Sequence, residues 1–212
     1  MKNIKTIVMA SLLCAMAYAV MFVGRIPIIA HLSYDPKDIV IVFGGFVFGP
    51  LMVVIISVIV PLIEMITASN TAIIGMIMNI LSSLAFALPA VLIYYRRKSL
   101  KNAIIGLIVG VIVNVAAMLL FNYFISPFYF NIPQAEIAKM LLPIFLPFNL
   151  IKGSINAALI LLLYPHLVKV FESLNLLNKT NTKRTNKKTT YIVVFLLLLF
   201  SLIIFLFMKG II

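Results

Sequence analysis

The segment YIVVFLLLLFSLIIFLFM, residues 191–208, contains no charged side chain. A helix of about 20 apolar residues crosses the hydrocarbon core of a bilayer, which is roughly 30 Å thick, so this segment is long enough to span a membrane. Similar apolar runs recur along nearly the whole chain, in which 64% of 212 residues are hydrophobic and 10% are charged. Soluble domains are about half apolar and about a quarter charged. The sequence therefore predicts an all-α integral membrane protein.

Turn residues and charges divide the chain into seven predicted membrane helices. Their expected bounds are residues 6–23, 35–49, 51–68, 70–95, 101–124, 142–171 (with the start between 142 and 148) and 191–208. Asp35 is the expected N-cap of the second helix and Pro36 its first residue. Residues 24–34 and the proline-containing stretch 126–138 are expected to be loops. We divide the chain into a six-helix membrane domain (1–172), a basic cytoplasmic linker (173–190) and an additional membrane helix (191–212).

The distribution of Lys and Arg predicts the orientation. If the N-terminus is cytoplasmic, twelve of them lie inside: Lys2, Lys5, Arg96, Arg97, Lys98, Lys101, Lys169, Lys179, Lys183, Arg184, Lys187 and Lys188. Four lie outside, namely Arg25, Lys37, Lys139 and Lys209. The positive-inside rule then predicts a multi-pass protein of the cell membrane with a cytoplasmic N-terminus. The formal charge of +12 does not indicate nucleic-acid binding, because the basic residues cluster at the ends of apolar segments.

The start of the sixth helix, PFNLIKGSIN (147–156), is the strongest candidate for a binding site. At 100° per residue, Asn149, Lys152, Gly153 and Asn156 share one face. An ammonium group in a membrane helix is costly and normally faces a cavity or a partner. The alternative is that Lys152 snorkels to the outer surface. The short amides beside it cannot snorkel, which favours a cavity.

Other polar residues lie in the same, outer half of the predicted bundle. Asn79 and Asn122 are candidate ligand contacts, whereas Asn114 is better explained as a hydrogen bond between helices. Glu64 is expected to pair with a loop cation or with a neighbouring amide.

Rows of small residues mark two helices. Ser11, Ala15 and Ala19 recur every four residues on the first helix, and Gly106 and Gly110 do so on the fifth. Such rows permit close helix approach, with internal packing the default for the glycines.

Several classes of protein are disfavoured by what the sequence lacks. It contains no G-x-x-x-x-G-K-[ST] phosphate loop, His31 and His166 stand far apart, and Cys14 is the single cysteine. No catalytic constellation is apparent, so neither an enzyme nor a bound cofactor or metal is expected. We also find no internal repeat of the kind typical of secondary transporters.

Four segments, YDPKDI (34–39), GGFVFGP (44–50), FNYF (121–124) and PFNLIKG (147–153), resemble the riboflavin-specific substrate-binding subunits (S components) of energy-coupling-factor (ECF) transporters. The similarity extends to about residue 172, where family members usually end. It implies a six-helix bundle that takes riboflavin from outside, under the loop between helices 1 and 2. It also implies delivery through a separate scaffold protein and two ATPases, with Ala15 and Ala19 matching the surface that meets the scaffold.

Riboflavin suits the candidate residues, because its rings need apolar contacts and its carbonyls and hydroxyls need a few polar partners. The candidate binding residues are Asn149, Lys152, Asn122, Asn79, Tyr34 and Asn156, and the candidate docking residues are Ser11, Ala15 and Ala19. A related vitamin or a flavin phosphate could satisfy the same groups. An autonomous secondary transporter and a membrane assembly protein remain as alternatives from other classes.

Overall fold

The computed structural model describes residues 2–29, 32–68, 72–173 and 187–208. Within these ranges the elements are α1 (Lys2–Gly24), β1 (Ile26–Ile29), β2 (Leu32–Tyr34), α2 (Lys37–Phe48), α3 (Pro50–Thr67), α4 (Ala72–Arg96), α5 (Leu100–Phe130), α6 (Gln134–Met140), a π-helical segment (Leu141–Phe145), α7 (Leu146–Ser173) and α8 (Lys187–Met208). Several positions named in the sequence analysis lie outside the described residues: His31, residue 70 at the start of the predicted fourth helix, residues 174–186 of the predicted linker, and Lys209.

Six segments of the described chain are long and apolar enough to cross a membrane: 4–24, 50–67, 73–96, 100–130, 134–170 and 190–208. The remaining predicted membrane helix, α2, has only 12 residues and contacts α1, α3, α4 and α7. Its apolar residues are largely buried against these neighbours, so α2 forms the centre of the bundle. The predicted all-α membrane fold is confirmed, with the second helix inside the bundle.

The corner between α2 and α3 is formed by Gly49 and Pro50, as predicted. Gly49 has φ 100°, a conformation that side chains disfavour, and its N–H donates to the Gly45 carbonyl at 2.8 Å. Pro50 is the first residue of α3, where its missing N–H removes no helical hydrogen bond. These two residues reverse the chain between two helices that pack together.

The glycine row of α5 packs against α4, which confirms the expectation of internal packing. A Cβ atom on Gly106 would lie 2.6 Å from the Ala90 carbonyl oxygen, and one on Gly110 would lie 2.5 Å from that of Phe86. Asn114, one turn further, accepts a hydrogen bond from the Ser82 hydroxyl at 3.4 Å. It therefore connects α4 to α5, as predicted.

The expected loop at 126–138 is wrong. α5 continues through Pro127 to Phe130, and Asn131 in the left-handed conformation ends it at φ 54°. From Gln134 the chain is helical again through α6 and the π-helical segment into α7. Proline is tolerated within a membrane helix because neighbouring groups satisfy the freed carbonyl, so it did not end the helix here.

The connection between α1 and α2 also differs from the prediction. The expected loop 24–34 contains an antiparallel hairpin, in which Ile26 pairs with Tyr34 and Ile29 with Leu32. Helix α2 begins at Lys37 with no side-chain cap. Asp35, the expected N-cap, instead has its carboxylate in ion pairs with Arg25 and Lys37.

The additional C-terminal helix, α8, packs chiefly on α7. It begins at Lys187, which places the end of the predicted linker within the helix. Thr190, Val194 and Ser201 are buried in its contact face, whereas most of its large apolar side chains remain exposed. The helix thus lies on the outside of the bundle, against α7.

Candidate binding site

A cavity of about 560 Å³ lies at the end of the bundle that carries the hairpin. Its volume is within the range of sites for small organic ligands. Its polar wall residues are Arg25, Ser33, Asp35, Glu64, Asn79, Ser82, Asn122, Ser126, Asn149 and Lys152. Aromatic side chains, Tyr129, Phe130, Phe145 and Phe148, form part of the apolar wall. The cavity can therefore hold a flat aromatic solute and contact its polar edge.

Four of the six predicted binding residues, Asn79, Asn122, Asn149 and Lys152, line this cavity. The other two, Tyr34 and Asn156, do not belong to its lining. The Tyr34 hydroxyl donates to the Asn156 amide oxygen at 2.8 Å, and both side chains are buried. They join the hairpin to α7 behind the cavity wall.

Lys152 is buried, with 5% of its surface exposed. Its ammonium nitrogen lies 3.2 Å from the Ser82 hydroxyl and 3.9 Å from a carboxylate oxygen of Asp38. The snorkelling alternative is therefore wrong. It assumed that Lys152 lies near the outer end of a membrane helix, whereas α6 and the π-helical segment continue the helical chain beyond it.

Asp38 is the main structural partner that sequence reasoning missed. Its carboxylate accepts from Ser83 at 2.6 Å and from the Asn156 amide at 3.3 Å. Several donors stabilise a buried carboxylate, because their hydrogen bonds replace its lost hydration. Asp38 consequently ties α2 to α4 and α7 at the base of the site. The only signal in the sequence was an acid directly before a strongly apolar segment.

A second polar cluster connects the hairpin to α3 and α4. The Arg25 guanidinium pairs with Asp35 at 2.9 Å and, through another nitrogen, with Glu64. The Asn79 amide donates to Glu64 at 3.0 Å. The prediction that Glu64 pairs with a loop cation or an amide is confirmed for both kinds of partner.

Lys37 also belongs to this cluster, although it was expected among the outer loop cations. It is fully buried, and its ammonium nitrogen lies 3.2 Å from Asp35 and 3.3 Å from the Asn79 amide oxygen. Burial alone would raise the pKa of Asp35, but Lys37, Lys152 and Arg25 hold it at about 2. Asp35 is therefore ionised across the physiological pH range.

Two wall amides are held in place by the backbone of their own helices. Asn149 donates to the Phe145 carbonyl at 2.8 Å, and Asn122 donates to the Met118 carbonyl at 2.7 Å. An amide nitrogen carries two hydrogens, so each side chain keeps a second N–H after this bond. The backbone contacts fix the directions in which the amides can meet a ligand.

Among the described residues, no group of three His, Cys, Asp or Glu side chains could hold a metal ion.

The predicted docking residues lie on a different surface. Ser11, Ala15 and Ala19 are all exposed, while Leu13, Cys14 and Ala17 on the same helix are buried. Ser11 and Ala15 border a mostly apolar groove between α1 and α3, whose other wall includes Ile55, Ile59 and Ile63. Ser11 donates to the Ile7 carbonyl at 3.0 Å, so its hydroxyl does not make the groove strongly polar.

Comparison with known proteins finds a matching family, a relative similar in sequence and a similar solved structure. The family described as "ECF transporter, substrate-specific component" matches residues 5–164. The "Riboflavin transporter RibU" of Staphylococcus aureus (strain TCH60) is 32% identical over 177 residues, covering 79% of this chain and 92% of that protein. A structure described as "Structure and mechanism of the S component of a bacterial ECF transporter" matches with a TM-score of 0.68 and 27% identity. That match covers 81% of this chain and 99% of the other.

Proposed function

This chain belongs to the substrate-specific components of ECF transporters, and we propose that it captures riboflavin from outside for import by an ATP-driven module. The observation that carries the proposal is the cavity with Lys152 and Asn149 on its wall beside Phe145 and Phe148. A relative at 32% identity is named a riboflavin transporter, which supports the choice of ligand.

The chemistry of the wall matches the two parts of riboflavin. Its ring system is flat and largely apolar, so it packs against Phe145 and Phe148. Its ring carbonyls and ribityl hydroxyls accept hydrogen bonds from Lys152, Asn149 and Asn122. Capture breaks no covalent bond, so we assign the protein no enzymatic reaction and no cofactor, with riboflavin as the cargo.

Import requires partners, because the sequence contains no phosphate loop for ATP hydrolysis. We propose that a transmembrane scaffold subunit and two ATPase subunits supply the energy. The exposed row of Ser11, Ala15 and Ala19 is the proposed contact with the scaffold, since small side chains let helices approach closely. This surface is separate from the cavity, so binding and docking can be tested independently.

The first test is the visible absorption spectrum of the detergent-purified protein. Riboflavin is yellow, so we expect a flavin band from the native protein and release of free riboflavin on denaturation, identified by its mass. Protein purified without ligand should bind added riboflavin and quench its fluorescence. A colourless preparation that also fails to quench added riboflavin would contradict the proposal, and a different released compound would identify another vitamin.

The second test concerns orientation in the cell membrane, for which we propose a cytoplasmic N-terminus. A cysteine at Gln134, which is exposed on α6, should react with a membrane-impermeant reagent applied to intact cells. A cysteine at Arg97, in the basic connection between α4 and α5, should react only after the cells are opened. Cys14 is 4% exposed and should give little background. The reverse labelling pattern would overturn the orientation.

A further inference from the structure

The end of the bundle opposite the cavity carries a group of basic side chains. Ser82 on α4 lines the cavity, and Arg96 lies roughly 21 Å further along this helix, at about 1.5 Å per residue. Lys169 lies near the end of α7, and the hydroxyls of Tyr94 and Tyr164, 3.4 Å apart, join the two helices here. We call six residues together the basic end: Lys5, Arg96, Arg97, Lys98, Lys101 and Lys169.

The cations of the basic end have no acidic partner. Five of the six side chains are exposed and Lys98 is partly buried. Among the side chains that the structure describes, no carboxylate forms an ion pair with any of them. The four carboxylates described, Asp35, Asp38, Glu64 and Glu136, each lie beside a cation elsewhere. Positive charge is therefore balanced around the cavity and unbalanced at the basic end.

These cations lie at the depth of lipid headgroups. The apolar segments that are long enough to cross a membrane include 4–24, 73–96, 100–130 and 134–170. Each residue of the basic end lies at a limit of one of these segments or in the short connection between two of them. Headgroup phosphates occupy the same level, because they cover the hydrocarbon core that the apolar segments cross. Lipid phosphates are therefore anions that these side chains can reach.

The connection between α4 and α5 is held in one conformation. Ser99 caps α5 by accepting from the Asn102 backbone N–H at 3.3 Å. The side-chain amide of Asn102 donates to the Ile93 carbonyl of α4 at 3.2 Å. The ammonium group of Lys98 lies 4.5 Å from the centre of the Tyr95 ring. A ligand of this connection does not have to order it first, which lowers the entropic cost of binding.

We propose that the basic end binds the phosphate groups of anionic phospholipids in the adjacent leaflet, with Arg96 and Arg97 as the main contacts. A cluster of about four to eight Lys and Arg residues next to a membrane helix attracts anionic headgroups. Arginine suits phosphate because its planar guanidinium donates two parallel hydrogen bonds to it. The positive-inside rule explains on which side of the membrane such residues lie, and the proposal adds the ligand that neutralises them. A lipid is favoured over an acidic protein because the cations lie at headgroup level.

The experiment measures lipid binding by the full-length protein after delipidation in a neutral detergent. Phosphatidylglycerol and phosphatidylcholine with identical acyl chains are titrated separately, and bound lipid is counted by native mass spectrometry. We expect phosphatidylglycerol to bind about 25-fold more tightly at low salt, since each of two basic residues near a headgroup strengthens the attraction about fivefold. Added salt should reduce this ratio, because it screens exposed charges.

Single substitutions assign the preference to this surface. Arg97→Gln removes one exposed cation and should lower the ratio about fivefold. The double variant Arg96→Gln with Arg97→Gln should bind the two lipids almost equally. The matched control is Lys139→Gln, which also removes one exposed cation but from α6, and it should leave the ratio unchanged. Arg97→Lys keeps the charge and should retain most of the preference.

Three outcomes would overturn the proposal. Equal binding of the two lipids by the parent would do so and would indicate an acidic protein as the partner. An equal fall in Arg97→Gln and Lys139→Gln would attribute the preference to overall charge. Displacement of phosphatidylglycerol by inorganic phosphate at the same concentration would reveal an anion site that needs no membrane. Thermal unfolding in lipid-free detergent checks each variant, and Lys101→Gln replaces Arg97→Gln if that variant does not fold. No outcome depends on riboflavin, so the proposed function is tested separately.

Discussion

Replacing Ala15 and Ala19 together by leucine is expected to abolish riboflavin uptake by cells while riboflavin binding by the isolated protein stays within about twofold of the parent. Both alanines are exposed on α1, and neither lines the cavity. Leucine at these positions would hold apart two helices that must approach closely. Uptake of labelled riboflavin and fluorescence titration of the purified variant measure the two properties separately.

Two single substitutions serve as controls for this pair. Ala116→Leu enlarges an exposed alanine on α5 that lines neither the cavity nor the α1–α3 groove, and it should leave both uptake and binding intact. Ala17→Leu overpacks a fully buried position of α1 and should damage folding and binding alike. The variant with leucine at both Ala15 and Ala19 could lose riboflavin binding as Ala17→Leu does. In that case the row of small residues on α1 packs within the bundle and is not a docking surface.

Much of the fold could be predicted because a bilayer allows few solutions for the backbone. Residues 191–208 have no charge and must satisfy their own hydrogen bonds, so a helix was the expected result. The turn between α2 and α3 was also predictable, because it depends on the backbone preferences of Gly49 and Pro50 themselves. The rules failed where proline was read as a helix end. Pro127 lies within α5, and Pro133 directly precedes α6, so neither proline keeps its neighbours out of a helix.

The site was predictable only in part. Asn149, Lys152 and Asn156 could be placed on one face because helical periodicity is local. Their partners could not be found in this way. Asn156 bonds Tyr34 and Asp38, which precede it by 122 and 118 residues, and no periodic pattern relates positions so far apart. Asp35 was predicted to be a helix cap because the local sequence does not reveal its pairing with Arg25. That pairing depends on the hairpin.

The network explains why a buried lysine is tolerated in this fold. An isolated charge is not stable in a low-dielectric interior. Removing one partner of a buried ion pair therefore destabilises the fold more than replacing both partners by apolar residues does. Lys152 and Asp38 connect α7 to α2, while Arg25 connects the hairpin to α3 through Glu64. The same groups therefore shape the cavity and hold together the elements around it. A substitution at Lys152 must be tested for both consequences.

Lys152→Met is expected to weaken riboflavin binding by roughly 1.5–3 kcal/mol, the range for a hydrogen bond to a charged group. This corresponds to about 10- to 100-fold in the dissociation constant. Methionine keeps the length and apolar bulk of the side chain but removes the donor. Asn149→Leu should act in the same direction with a smaller effect, because a neutral amide forms a weaker bond. Fluorescence titration of the purified variants provides the measurement.

A second variant separates loss of a ligand contact from damage to the network. Lys152→Met leaves Asp38 with Ser83 and Asn156 but without the ammonium group that lies 3.9 Å from its carboxylate. The double variant Lys152→Met with Asp38→Asn removes both charges, so it should restore thermal stability that the single variant lost. If Lys152 contacts riboflavin, the double variant unfolds at the parental temperature yet still binds weakly. If riboflavin affinity returns together with stability, Lys152 acts through Asp38 and does not donate to the ligand.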